Sequence, residues 1–192
     1  MWGHVVPFVN PSKYEDLAFL NEGEPIRTTP MALTHPGNVA ALNRLAEEFP
    51  FSAEFIRLMA STELQSKVLS ATAAYFSLGR DVVEAPSEIG LTVLLFYRDQ
   101  QDCIMWYVVV DGPLEGHVLA SMSYVEELED AASWRDEVVV CAKSVAEFVY
   151  RTWVENQIWF HLNESSTVLT PYALLECDWY ERENAELGRT CR

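Results

Sequence analysis

Residues 91–110 read LTVLLFYRDQQDCIMWYVVV, and this stretch decides the fold. Leu91–Tyr97 and Ile104–Val110 are rich in β-branched and aromatic side chains. The polar segment Arg98–Cys103 between them is short, so the pattern predicts a hairpin with a longer loop. In the second strand Ile104, Trp106, Val108 and Val110 point one way, and Met105, Tyr107 and Val109 the other. Both sets are apolar, so both faces of the sheet must be covered.

Upstream the chain is helical in pattern. Asn38 is a good N-cap for a helix carrying Val39, Leu42, Leu45, Ala46 and Phe49, which Pro50 ends. Ser52 caps a second helix with Phe55, Ile56 and Met59 on one face. A third is predicted from Ser61 to Leu78, with the stripe Leu64, Val68, Ala71, Thr72, Tyr75 and Phe76 and a stop at Gly79. Residues 1–37 hold five of the nine prolines and read as an arm over the domain. Within the arm, Val5–Val9 suits a short edge strand and Tyr14–Leu20 one or two helical turns.

Downstream, Asp111-Gly112-Pro113 makes a turn and Gly116 another. His117–Ser121 reads as a shorter strand, and Glu137–Ala142 as a further strand or the start of the next helix. Ser144-Val145-Ala146-Glu147 is a capping box, opening a helix whose stripe is Val145, Phe148, Val149, Thr152 and Trp153. Ile158–Leu162 reads as extended. Thr170-Pro171 then supplies the N-cap and first position of a terminal helix, with Leu174, Leu175, Asp178 and Trp179 near one face and Gly188 as its C-cap.

The 192 residues suit one domain with extra pieces, at about 150 residues per domain. Apolar residues make up 49% and charged residues 22%, which excludes wholesale disorder. No apolar run reaches the ~18 residues of a membrane span. Met1–Asn10 has neither a basic start nor a cleavage site, which argues against a secretory signal and for a cytoplasmic location. The net charge is −16. Such a surface repels nucleic-acid backbones and anionic membranes. It attracts basic proteins and speeds their encounter.

The candidate chemistry is sparse. Cys103, Cys141, Cys177 and Cys191 form no CxxC pair and have no His at ligand spacing, so no metal site is predicted. Reduced thiols are expected, with Cys103 and Cys141 as small hydrophobes in apolar runs. No Gly-rich phosphate loop, HExxH or G-x-S-x-G is present, so no catalytic residue and no cofactor is expected. His117 and His161 read as structural. Trp106, Trp153 and Trp159 fall in periodic apolar segments and are expected in the core. Glu126, Glu127, Glu129 and Asp130 form the densest acidic run, and Trp134 beside them is the candidate surface anchor for a partner.

Asp99-Gln100-Gln101-Asp102-Cys103-Ile104-Met105-Trp106 resembles a motif of the SUKH superfamily. There an acidic residue, then Asn, Gln and Gly, lead into a strand with Trp seven positions after the acid. Asp99, Gln101 and Trp106 match it, Gln100 is a near match, and Asp102 stands in place of the Gly. A left-handed backbone there suits Asp less well than Gly. Phe49-Pro50-Phe51-Ser52-Ala53-Glu54-Phe55 resembles the family's helix start, and Ser144–Trp153 its closing helix. Trp159 and Leu169-Thr170-Pro171 are similar to a C-terminal extension of some bacterial members. The resemblance covers roughly 38–162.

The resemblance implies an α+β fold, with a curved, largely antiparallel sheet flanked by helices. That fits a helical N-terminal half and C-terminal helices. Residues 1–37 would form the arm and 38–192 one domain, with a helical extension from about 163. The resemblance also implies no catalysis. Bacterial members often neutralise toxins, many of them nucleases, and yeast-type relatives regulate cell-wall assembly through protein contacts. The expected function is therefore a non-enzymatic protein-binding domain, an immunity protein against a basic toxin. The alternatives are a regulatory or scaffold domain without a toxin, and a small hydrolase drawing on paired carboxylates.

Overall fold

A computed structural model describes residues 10–22, 38–163 and 170–185. The fold is α+β: a six-stranded antiparallel sheet flanked by helices. Its strands are β1 (Tyr75–Phe76), β2 (Val83–Glu84), β3 (Thr92–Arg98), β4 (Met105–Asp111), β5 (Val118–Ser121) and β6 (Val138–Ala142). The helices are α1 (Phe19–Glu22), α2 (Asn38–Ala46), α3 (Ala53–Ala60), α4 (Thr62–Ser66), α5 (Ala131–Glu137), α6 (Val145–Asn163) and α7 (Pro171–Glu183). From β3 to β6 the sheet is a meander, while β1 and β2 both pair with β3, β1 near its end and β2 near its start.

The expected hairpin is present. Leu94 faces Val108 and Leu95 faces Tyr107 across β3 and β4. The two faces enter two separate apolar clusters: Trp106, Val108 and Val110 join the helix-side cluster, and Met105, Tyr107 and Val109 the other. A register shift between Leu95 and Tyr97 breaks the alternation. An extra residue in one strand turns the chain, and so Phe96 and Tyr97, although consecutive, both lie in the helix-side cluster. There Phe148 of α6 meets Phe96, Tyr97 and Trp106 at ring separations of 5.5, 5.6 and 5.8 Å.

Local signals set the helix starts. The Ser52 hydroxyl accepts the N–H of Phe55 at 3.2 Å, and the Thr170 hydroxyl accepts that of Ala173 at 3.1 Å. The Ser144 hydroxyl accepts the Glu147 N–H at 3.1 Å, and the Glu147 carboxylate accepts the Lys143 N–H at 3.2 Å. The box thus closes reciprocally, with the return bond one residue before the cap. The turn after β4 demands its glycine. Gly112 has φ +108°, and a Cβ there would lie 2.4 Å from the Gly90 carbonyl oxygen.

Four readings are corrected. The helix predicted from Ser61 to Leu78 stops at Ser66, and Tyr75–Phe76 is an edge strand. The Ser70 hydroxyl accepts the N–H groups of Thr72 and Ala74, and Asn156 of α6 accepts that of Ala71 at 2.6 Å. Side chains thereby take the donors a helix would use, and Ala73 is left-handed at φ 57°. Ile158–Leu162 is not extended but completes α6. Val154, Gln157 and Phe160 are buried at three-residue spacing, and extending a formed helix costs little. In α7 the buried face is Ala173, Glu176, Cys177 and Tyr180, while Leu174 and Leu175 are exposed. Trp159 is 43% exposed and not a core residue. Cys191, the Val5–Val9 strand and the Gly188 cap lie outside the described residues.

The segment 10–22 packs on the helix side of the sheet. Leu17, Phe19 and Leu20 are buried in the same cluster as Val149, Tyr150 and Trp153 of α6. Phe19 meets the ring of Tyr150 edge-on at 5.2 Å. Among the described residues no helix is long and apolar enough to cross a membrane.

Candidate functional site

The acidic run follows β5. Glu126 and Glu127 sit in a 3-10 turn, Val125–Glu127, and they and Glu129 and Asp130 are all exposed. The run is pinned from beneath: Val125 is buried, and its N–H donates to the Tyr107 hydroxyl at 3.3 Å. Asp130 caps α5, accepting the N–H of Ser133 at 2.8 Å and its hydroxyl at 2.9 Å. These bonds hold its carboxyl below the usual aspartate range.

Trp134, the expected surface anchor, is 1% exposed. It lies on the inner side of α5 in one cluster with Val125, Tyr107 and Val138. A short helix over a bare sheet face must present its largest apolar residue inward, and so Trp134 supports the acidic run from below and is closed to a partner.

The hairpin loop is held by its own carboxylates. Asp99 Oδ1 accepts the Cys103 N–H at 2.7 Å, and the Asp99 N–H donates to the Ile104 carbonyl at 3.1 Å. Asp102 is left-handed at φ 55°, with its carboxylate 3.3 Å from Arg98. Gln101 is exposed, and Trp106 is half-buried against Tyr97 and Phe148. Cys103 is exposed in this loop and not a small hydrophobe of an apolar run. Among the described residues Cys103, Cys141 and Cys177 are free, and no three His, Cys, Asp or Glu gather as metal ligands. His117 lies 3.5 Å from the Glu115 carbonyl, and His161 is exposed on α6.

A second feature is invisible in the sequence. A cleft of about 610 Å³ opens between the 11–16 segment, the start of α3, the turn before β5 and the start of α6. Glu15, Asp16, Glu54 and Glu115 line it, with Lys143 as the cation among the described lining residues. Phe51 and Phe55 in its wall stack at 4.8 Å with an angle of 23° between rings. Tyr14 is in the same lining, its hydroxyl pushed up by burial and then by the Glu147 carboxylate. Five separate chain segments build this site, so no motif or spacing announces it. The cleft and the acidic run lie at opposite ends of β5, one before it and one after.

Comparison of the chain with family models, with curated proteins and with solved structures gives no significant match.

Proposed function

We propose that this chain is a non-enzymatic protein-binding domain of the SUKH immunity type, which acts in the cytoplasm of a bacterium and neutralises a basic, nuclease-type toxin through its acidic surface. One observation carries the reading. Four carboxylates, Glu126, Glu127, Glu129 and Asp130, are all exposed on a turn that is anchored below, in a chain of net charge −16. Carboxylates fixed on rigid backbone steer a cationic partner and lose little entropy when it arrives. Two features support the family likeness. Asp102 is left-handed at the position where the motif places Gly, and Trp106 packs toward the closing helix through Phe148.

The test is co-expression with the toxin candidate whose gene neighbours its own. The chain should restore growth, and the purified pair should associate at a rate that falls steeply with salt. Changing the four carboxylates to their amides should slow association and flatten the salt dependence. Unchanged toxicity in the presence of the folded chain removes the immunity reading. A non-toxic partner recovered instead makes the domain regulatory.

A further inference from the structure

We infer that the cleft between the 11–16 segment and the starts of α3 and α6 seats an arginine- or lysine-bearing extended segment of the basic partner. This rests on the proposed binding of a basic protein and assigns the place where that protein inserts a side chain.

Charge and shape point the same way. Glu15, Asp16, Glu54 and Glu115 line the cleft, with the ammonium of Lys143 as the one cation among the described lining residues. None of the four forms an ion pair with another described residue, whereas Asp81, Asp102, Glu155 and Glu176 elsewhere do. Among the described residues the cleft's acids thus have no ion-pair partner. At about 610 Å³ the space falls within the ~300–1,000 Å³ of ligand clefts, enough for side chains rather than a flat contact. Phe51, half-buried and backed by the buried ring of Phe55, supplies a rigid aromatic wall, the kind of surface on which a guanidinium packs.

Helix starts ordinarily favour anions, and those of α3 and α6 border the cleft. At each start one first-turn donor is already held by the cap: Ser52 holds the Phe55 N–H, and Ser144 holds that of Glu147. Phosphate or carboxylate would meet four carboxylates and two capped helices. A cation meets the opposite.

The backbone beneath agrees. Asp16 and Leu17 are both left-handed, at φ 54° and 53°. This pair of turns buries Leu17 completely and leaves Glu15 and Asp16 exposed at the cleft.

The experiment titrates the full ¹⁵N-labelled chain with acetyl-Arg-Leu-Arg-Leu-Arg-amide at low salt, with acetyl-Glu-Leu-Glu-Leu-Glu-amide as the opposite-charge probe. Amide shifts should concentrate at 11–16, 50–55, 115–116 and 143–146 for the arginine peptide and be absent for the glutamate peptide. Glu54→Gln with Glu115→Gln should weaken binding about fivefold, while the amide variant of Glu126, Glu127 and Glu129 should change it less than about twofold. Should the double variant lose its fold, Glu115→Lys alone, on an exposed turn, serves in its place. Shifts confined to 125–130, or the reverse order of the variants, overturn the cleft while leaving the acidic-surface reading intact. Tighter binding of the glutamate peptide overturns it as well. Absence of any arginine-peptide binding overturns the cleft, and only failure to neutralise the toxin removes the proposed function itself.

Discussion

Lys13 Nζ stands 2.8 Å from Glu176 Oε1, which joins positions 163 residues apart in the chain. The other oxygen of the same carboxylate accepts the Tyr150 hydroxyl at 2.6 Å. Burial, and then Glu176 itself, push that hydroxyl far above the usual tyrosine range, so it stays a donor. Lys13 also lies 4.9 Å from the ring centre of Trp179. The early segment is thereby tied to α7 across the face of α6. Glu176 is 8% exposed and Lys13 28%, so the pair is screened less than a surface one. A double-mutant cycle of Lys13→Met and Glu176→Gln in urea should give a coupling of about 1–2 kcal/mol. A coupling below about 0.3 kcal/mol would show that the contact ties nothing.

The hairpin loop gives a second prediction. Asp102 holds a left-handed backbone and an ion pair with Arg98. Asp102→Ala keeps neither advantage and should destabilise by about 1–2 kcal/mol. Asp102→Gly frees the backbone and should recover at least half of that loss. Thermal melts of the three proteins decide it, and an alanine variant as stable as the parent would mean that the turn carries no strain.

Trp134 and Trp106 differ in burial, and their costs should differ in the same order. Trp134 is 1% exposed, and Trp134→Ala should cost about 3–5 kcal/mol. Trp106 is half-buried, and Trp106→Ala should cost less, about 2–3 kcal/mol, because part of its ring is already in water. Chemical denaturation measures both, and a reversed order contradicts the packing described for α5.

Thiol chemistry gives a fourth. Burial pushes the thiols of Cys141 and Cys177 up to about 12, so at pH 8 almost none of either is thiolate. Cys103 is exposed. In a Cys191→Ser background one thiol should react with a disulfide reagent in the native protein, and three after unfolding. Rapid native modification of the buried Cys177 would show that α7 opens.

Much of this architecture is determined by the sequence alone, where the deciding interactions are local. The hairpin at 91–110, its two apolar faces and the helix caps at Ser52, Ser144 and Thr170 depend on alternation and on hydrogen bonds spanning three or four residues. The same local evidence misleads wherever a distant partner intervenes. Residues 61–78 carry a helical stripe, yet Asn156, 85 positions away, takes a donor that the helix needed. Trp134 and Trp159 exchange their expected places because exposure depends on which neighbour covers a side chain, and periodicity is silent about that. The acid-lined cleft belongs wholly to the tertiary structure: its charges come from turns and helix starts scattered over the chain, and only the closing of α6 and the 11–16 segment against the sheet brings them to one opening.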